Sequence, residues 1–340
     1  MRKTLTIVAW MACAAFAVQA QDGPYKLVKE IQIGGEGGWD YLSVDSAARR
    51  LYVSHATKAV VVDLSKDAVM GEIPDTPGIH GVIAVPPNRI FTSNGRGNNA
   101  SIVDAGTLQL IGKVDTQANP DFIMYEPKQK EVYTMNGRGQ SATVIEAATG
   151  KVVATIPLGG KPEAAVTDVS AGRVYVNVED KNSIAVIDLA KHEVVANWPI
   201  APGEEATGLA IDLKNHRLFI GASNRLMLMM DSTSGRILSQ VPIGAGADAT
   251  WFDPDTKYAF TSSGDGTTTI AKEESGKLTV VQTLKTALGA RTMTGDPATH
   301  RIYLATAEFQ PPPPGAAPGR GRAAMVPNSM KILVFGLNGK

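Results

Sequence analysis

"YTMNGRGQSATVIEAATGKVVATIPLGG" spans Tyr133 to Gly160. It opens on a short strand carrying an aromatic residue and turns at Asn136–Gly139. It continues as an alternating aliphatic strand, turns again between Glu146 and Gly150, and ends in a β-branched strand. Alternation of apolar and polar residues, bounded by Gly and acidic turn residues, is the pattern of half-buried β-strands. The same NGRG turn occurs earlier, at Asn94–Gly97, in "FTSNGRGNNASIVD".

Working outward, the strand before the turn recurs along the chain. It reads "RLYVS" at Arg50, "RIFTS" at Arg89, "EVYTM" at Glu131, "RVYVN" at Arg173, "RLFIG" at Arg217, "YAFTS" at Tyr258 and "RIYLA" at Arg301. Its aromatic residues are Tyr52, Phe91, Tyr133, Tyr175, Phe219, Phe260 and Tyr303. They recur about every 40 residues, the period of propeller blades. Each unit parses into four strands: a before the motif, b the motif, c after a polar turn, as in Ser183–Asp188, and d after a second turn, as in Lys151–Leu158. The c–d turns open on Asp104, Glu146, Asp188 and Asp231, which read as turn formers and not as catalytic acids. "YKLVKEIQIG" (Tyr25–Gly34) is a strand d without a unit, and the last unit ends at its strand c, "MKILVFG" (Met330–Gly336). The N-terminal strand should therefore complete the last blade and remove the open sheet edge. The fold expected is all-β, a single seven-bladed propeller of four-stranded blades over residues 21–340.

The quoted segment and "VYVNVEDKNSIAVIDLAKHEVVANWPI" (Val174–Ile200) resemble the YVTN, or YncE-like, family of propeller repeats. That family's pattern runs through Tyr-Val-Thr-Asn, a polar turn, an aliphatic strand ending in Asp, then Thr-Gly-Lys. The likeness spans nearly all of the chain after residue 20 and is strongest in units 2 to 4. It implies a propeller that is usually exported, and it implies no single reaction.

Residues 1–20 read as an export signal. Arg2 and Lys3 precede an apolar stretch, Leu5–Val18, and Val18-Gln19-Ala20 offers a cleavage site. The stretch is short for a membrane span. The only cysteine, Cys13, lies inside it, so the remaining chain relies on packing without disulfides, and a periplasmic or secreted location is expected. Lysine and arginine together number 33, as do aspartate and glutamate. That balance argues against a nucleic-acid binder or a polybasic membrane binder. A monomer is expected, with a small polar ligand or a periplasmic protein as partner.

Candidate site residues follow from the propeller's geometry. The d–a and b–c connections share one face. At the start of strand a, equivalent positions hold Asp40, His80, Asp121, Glu163, Thr207, Asp248 and Arg291. Strand a is innermost, so these side chains should ring the mouth of the central channel, with Trp39, Tyr41, Phe122 and Trp251 as walls. Three readings stand open: a solvated channel mouth, a site for a small polar or cationic ligand, and a metal or acid–base site. In the last, oxygen ligands suit Ca²⁺ or Mg²⁺, and Asp40, His80 and Asp121 suit Zn²⁺. Clustered carboxylates should raise at least one pKa. No HExxH, Walker A, GxSxG or EF-hand loop occurs, so no reaction class is specified and no cofactor is expected, a divalent metal at the mouth being left open.

The b–c loops should surround this mouth. Arg96 and Arg138 of the two NGRG turns are ligand candidates there, and the Asn and Gly around them are read as residues that tolerate positive φ. Asp180, Asn224 and Asp265 belong to the same loops. An insertion in the last blade, "EFQPPPPGAAPGRGRAAMVPNS" (residues 308–329), is rich in Pro and Gly. It reads as a disordered excursion, a lid or a docking arm. On the opposite face His192, His216 and His300 are expected in solvent. "RLMLMMD" (Arg225–Asp231) is read as core packing and not as a copper site. The principal expectation is a ligand-binding or protein-interaction module acting through the mouth face. Its alternative is a propeller-type hydrolase or lyase.

Overall fold

The computed structural model describes residues 23–311 and 324–340. The proposed signal, residues 1–20, and the tip of the insertion, with Arg320 and Arg322, lie outside the described residues. Seven antiparallel sheets of four strands each form the ring. Blade 1 consists of Trp39–Asp45, Arg50–His55, Lys58–Asp63 and Ala68–Ile73. Blades 2 to 6 repeat this order from Ile79, Pro120, Pro162, Ala206 and Ala247. Blade 7 takes Met293–Asp296, Arg301–Thr306 and Lys331–Leu337 as strands a to c, and Tyr25–Gln32 pairs antiparallel with Lys331–Leu337 as its strand d. The ring is closed as the orphan strand implied. No helix among the described residues is long and apolar enough to cross a membrane.

The repeat's aromatic residue has a defined task. The core is not one mass but seven clusters, each between two adjacent blades, and each holds one of the seven aromatics. Tyr133 packs with Val174, Val176 and Ala185 of blade 4, and Tyr303 of blade 7 packs with Leu42, Leu51 and Val53 of blade 1. None of the seven is more than 2% exposed. Burying such a ring contributes roughly 1.5–3 kcal/mol, repeated at every blade junction. Met227, Met229 and Met230 lie fully buried in the blade 4–5 and 5–6 clusters, so their thioethers pack and are not offered to a metal.

The turns behave as their residues dictate. Asp104 accepts from the backbone N–H groups of Gly106 and Thr107, and Asp231 from those of Thr233 and Ser234. On this face two expectations need correcting. His192 lies 2.9 Å from Glu131 Oε2, and His300 lies 2.8 Å from Asp253 Oδ2. Both carboxylates are buried and each needs a partner, which draws these imidazoles out of solvent.

The NGRG turns also differ from expectation. None of their glycines has positive φ; that conformation falls on Asn98 and Gln140, the residues just after them. Three of the four, Gly95, Gly97 and Gly139, answer crowding instead. A Cβ on Gly95 would stand 2.6 Å from His80 Cδ2, and one on Gly139 would stand 2.8 Å from Gln117 Cβ. The asparagines are buried latches. Asn94 Nδ2 donates to Asn99 Oδ1 and Ser101 Oγ, while its Oδ1 accepts from Thr92 Oγ1. Asn136 makes the matching set with Ser141, Thr143 and Thr134.

Candidate functional site

Each strand a opens with a polar residue at its second position, and blades 1 to 6 all carry a register shift there. A bulge of this kind re-aims the side chains beside it. It sets Asp40, His80, Asp121, Glu163 and Asp248 in contacts that link the blades at the mouth, while Thr207 donates its hydroxyl to Ala247 O of blade 6. Blade 7 departs from the pattern: its strand a begins only at Met293, so Arg291 sits in the loop before it.

Three linked groups result. His80 Nδ1 stands 2.6 Å from Asp40 Oδ2 and 3.4 Å from Asp121 Oδ1. A nitrogen between two carboxylate oxygens must carry a proton, which leaves Nε2 as the ring's variable position. Lys161 bridges Glu163, at 2.6 Å, and Glu179. Arg291 Nη1 donates to Asp248 Oδ2 at 2.7 Å. Tyr41 reaches from blade 1 across the ring to donate its hydroxyl to Glu163 Oε2 in blade 4, and packs edge-on against Phe122. Both rings line the central channel, a largely apolar cavity of about 200 Å³ enclosed by strands a of all seven blades.

Five carboxylates (Asp40, Asp121, Glu163, Glu179 and Asp248) therefore face three cations (His80, Lys161 and Arg291). The surplus shows in the titration of the groups. Burial, with Asp40 nearby, holds Asp121 up at about 6 against the pull of His80. Burial and the Asp121 charge hold Glu163 at about 7. Burial lowers His80, but its hydrogen bond to Asp40 and the charge of Asp121 outweigh this and raise it. Burial and the Glu163 charge raise Tyr41 well above an ordinary phenol. The ligand atoms of Asp40, His80 and Asp121 lie within 4.8 Å of one another, close enough to share one ion.

The structure thus gathers Asp40, His80, Asp121, Glu163, Asp248 and Arg291 in one mouth. It does not bring Arg96 and Arg138 into that network: both are exposed, their guanidinium groups form no hydrogen bond or ion pair with any described residue, and Arg96 is held through its backbone N–H, which donates to Pro77 O. The other loop polars are braces. Asp180 accepts from Lys161 N–H, Asn224 from Glu204 N–H and Asp265 from Ala245 N–H. Lys161 and Glu179 escaped the sequence reading because they flank strands instead of opening them. The one available signal was Lys161's place two residues before Glu163.

The stems of the insertion are ordered. Phe309 and Met325 form a bridge, and Gln310 and Val326 N–H groups donate to Ala324 and Glu308 carbonyls. Asn328 exchanges hydrogen bonds with Gly35.

No family model matches the chain, and no curated protein matches it. Among solved structures it is similar to a chain of the "Crystal Structure of Mitotic Checkpoint Complex", with a TM-score of 0.71 at 10% identity. The alignment covers 99% of this chain and 98% of that one. At that identity the likeness shows the propeller fold alone.

Proposed function

We propose that the protein is an exported binding module of the YVTN type, whose channel mouth takes a small polar ligand carrying positive charge. The observation that carries this is the carboxylate surplus at the mouth. Groups with carboxyl pKa values pushed up by burial and by one another release free energy when a cation arrives. Tyr41 and Phe122 add aromatic faces beside those charges. The sequence of residues 1–20 supports export. A propeller is also a common platform for protein partners, and a basic side chain of a periplasmic partner would meet the same carboxylates.

Calorimetric titration with putrescine and with Ca²⁺ tests this. We expect saturable binding of at least one of them, weakened tenfold or more by Asp121→Asn and by Glu163→Gln. No binding, or equal binding by both variants, overturns the reading.

A second reading rests on the Asp40–His80 pair. A carboxylate that fixes Nδ1–H leaves Nε2 able to take a proton or to ligate a metal, as a hydrolase or lyase would require. Metal analysis of the purified protein beside His80→Ala and Asp121→Ala distinguishes the two. Stoichiometric metal lost in both variants favours the enzyme.

A further inference from the structure

Beside the mouth, between the loops of blades 6, 7 and 1, lies a second cavity of about 750 Å³. Its size falls within the range of small-molecule sites. Its walls are Trp39, Leu288, Phe309, Met325 and Pro327, none of them part of the strand repeat except Trp39. Trp39 and Phe309 face each other with centroids 6.3 Å apart. Leu288, 68% exposed, is the most exposed large apolar side chain described. Glycine backbone from Gly37, Gly38, Gly264 and Gly289 lines it as well, and Glu36 and Arg291 are its two charged wall residues. A Cβ built on Gly38 meets nothing within 4 Å, so the space there is open.

One basic group enters this apolar chamber. Arg291 lines it and spends Nη1 on Asp248. Its backbone N–H donates to Gly289 O, and Asp248 is the hydrogen-bond acceptor that the described residues give its guanidinium. A guanidinium has five donors in a planar fork suited to a carboxylate or sulfonate. Held at the edge of an apolar wall, its unused donors favour an acceptor that comes with an apolar body.

We propose that this chamber is a separate site for an aromatic organic anion, its ring system between Trp39 and Phe309 and its acid group on Arg291. The chamber borders the cation-binding mouth and shares only Arg291 with it, through the pair with Asp248. Glu163→Gln should leave it intact, so the two readings fail separately.

The probes are 8-anilinonaphthalene-1-sulfonate, an aromatic anion, and N-phenyl-1-naphthylamine, its uncharged counterpart. Fluorescence titration of the purified protein should show one sulfonate per chain with quenching of tryptophan emission. Gly38→Leu, which places a side chain in the open space, should weaken both probes at least tenfold. Arg291→Ala should weaken the sulfonate at least tenfold and the amine less than threefold. The proposal is overturned if the wild type binds no sulfonate, if Gly38→Leu binds it unchanged, or if Arg291→Ala affects both probes alike.

Discussion

The two NGRG turns are nearly identical in sequence and unlike in consequence. Gly95 lies against the His80 ring, whereas the nearest atom to a Cβ on Gly137 is Asn119 Nδ2, at an ordinary 3.4 Å. Neither glycine has positive φ, so alanine at either position tests space and nothing else. Gly95→Ala should push the imidazole off Asp40 and lower stability by about 1–3 kcal/mol; Gly137→Ala should change it by less than about 0.5 kcal/mol. Thermal melts, with His80 ring resonances followed by NMR, check both. The identity of the mouth residues was legible because the repeat fixes which residue opens each strand a. Which glycine touches the site was not, since that depends on His80 having no counterpart at the same position in blade 3, where Asp121 stands.

Glu163 gives a pH prediction at the same scale. Its folded pKa, about 7, is raised from the usual 4.5, first by burial and then by Asp121. The folded chain therefore holds this proton where the unfolded chain releases it. Stability linked to Glu163 is full at low pH and is lost as pH rises from about 4.5 through about 7. Comparison of wild type with Glu163→Gln isolates that share. The variant should gain relative stability, on the order of 1–3 kcal/mol between pH 5 and pH 8. Parallel melting curves across that range would refute it.

Among the elements, strand b carries more of the fold than its six residues suggest. Its aromatic locks onto the next blade, and in blades 2 and 3 its terminal asparagine ties it to strand c. Asn136 is fully buried and satisfies Thr134, Ser141 and Thr143 together. Asn136→Ala strands these hydroxyls in a dry site and should cost about 1–3 kcal/mol. Asn136→Asp keeps the shape but replaces two donors with acceptors facing hydroxyls. Because those hydroxyls can rotate to donate, the remaining cost is that of a buried charge. Its melting temperature should recover toward wild type as pH is lowered. The strands themselves were readable because period-two alternation and turn residues recur about every ten positions. The apolar chamber was not, because Leu288, Phe309 and Met325 come from loops where no periodicity announces a partner.

For the whole molecule, stability rests on a closed circle of like junctions and not on one centre. Repeats that touch only their neighbours behave as a sum of nearest-neighbour terms, and closure couples the first term to the last. The closing strand is anchored at Tyr25, which is 1% exposed, packs edge-on against Phe260 with centroids 5.1 Å apart, and donates its hydroxyl to His300 O. His300 is in turn paired with buried Asp253, so one ring side chain ties the N-terminal strand to blades 6 and 7. Tyr25→Ala should cost about 3–5 kcal/mol, as for other buried aromatic rings. Because the junction it breaks is the one that makes the ring a ring, the loss should appear as early exchange of amides in Lys331–Leu337 and in Tyr25–Gln32, ahead of blades 2 to 4, in hydrogen exchange under native conditions. Uniform loss of protection around all seven blades would instead mean that closure contributes no more than any other junction.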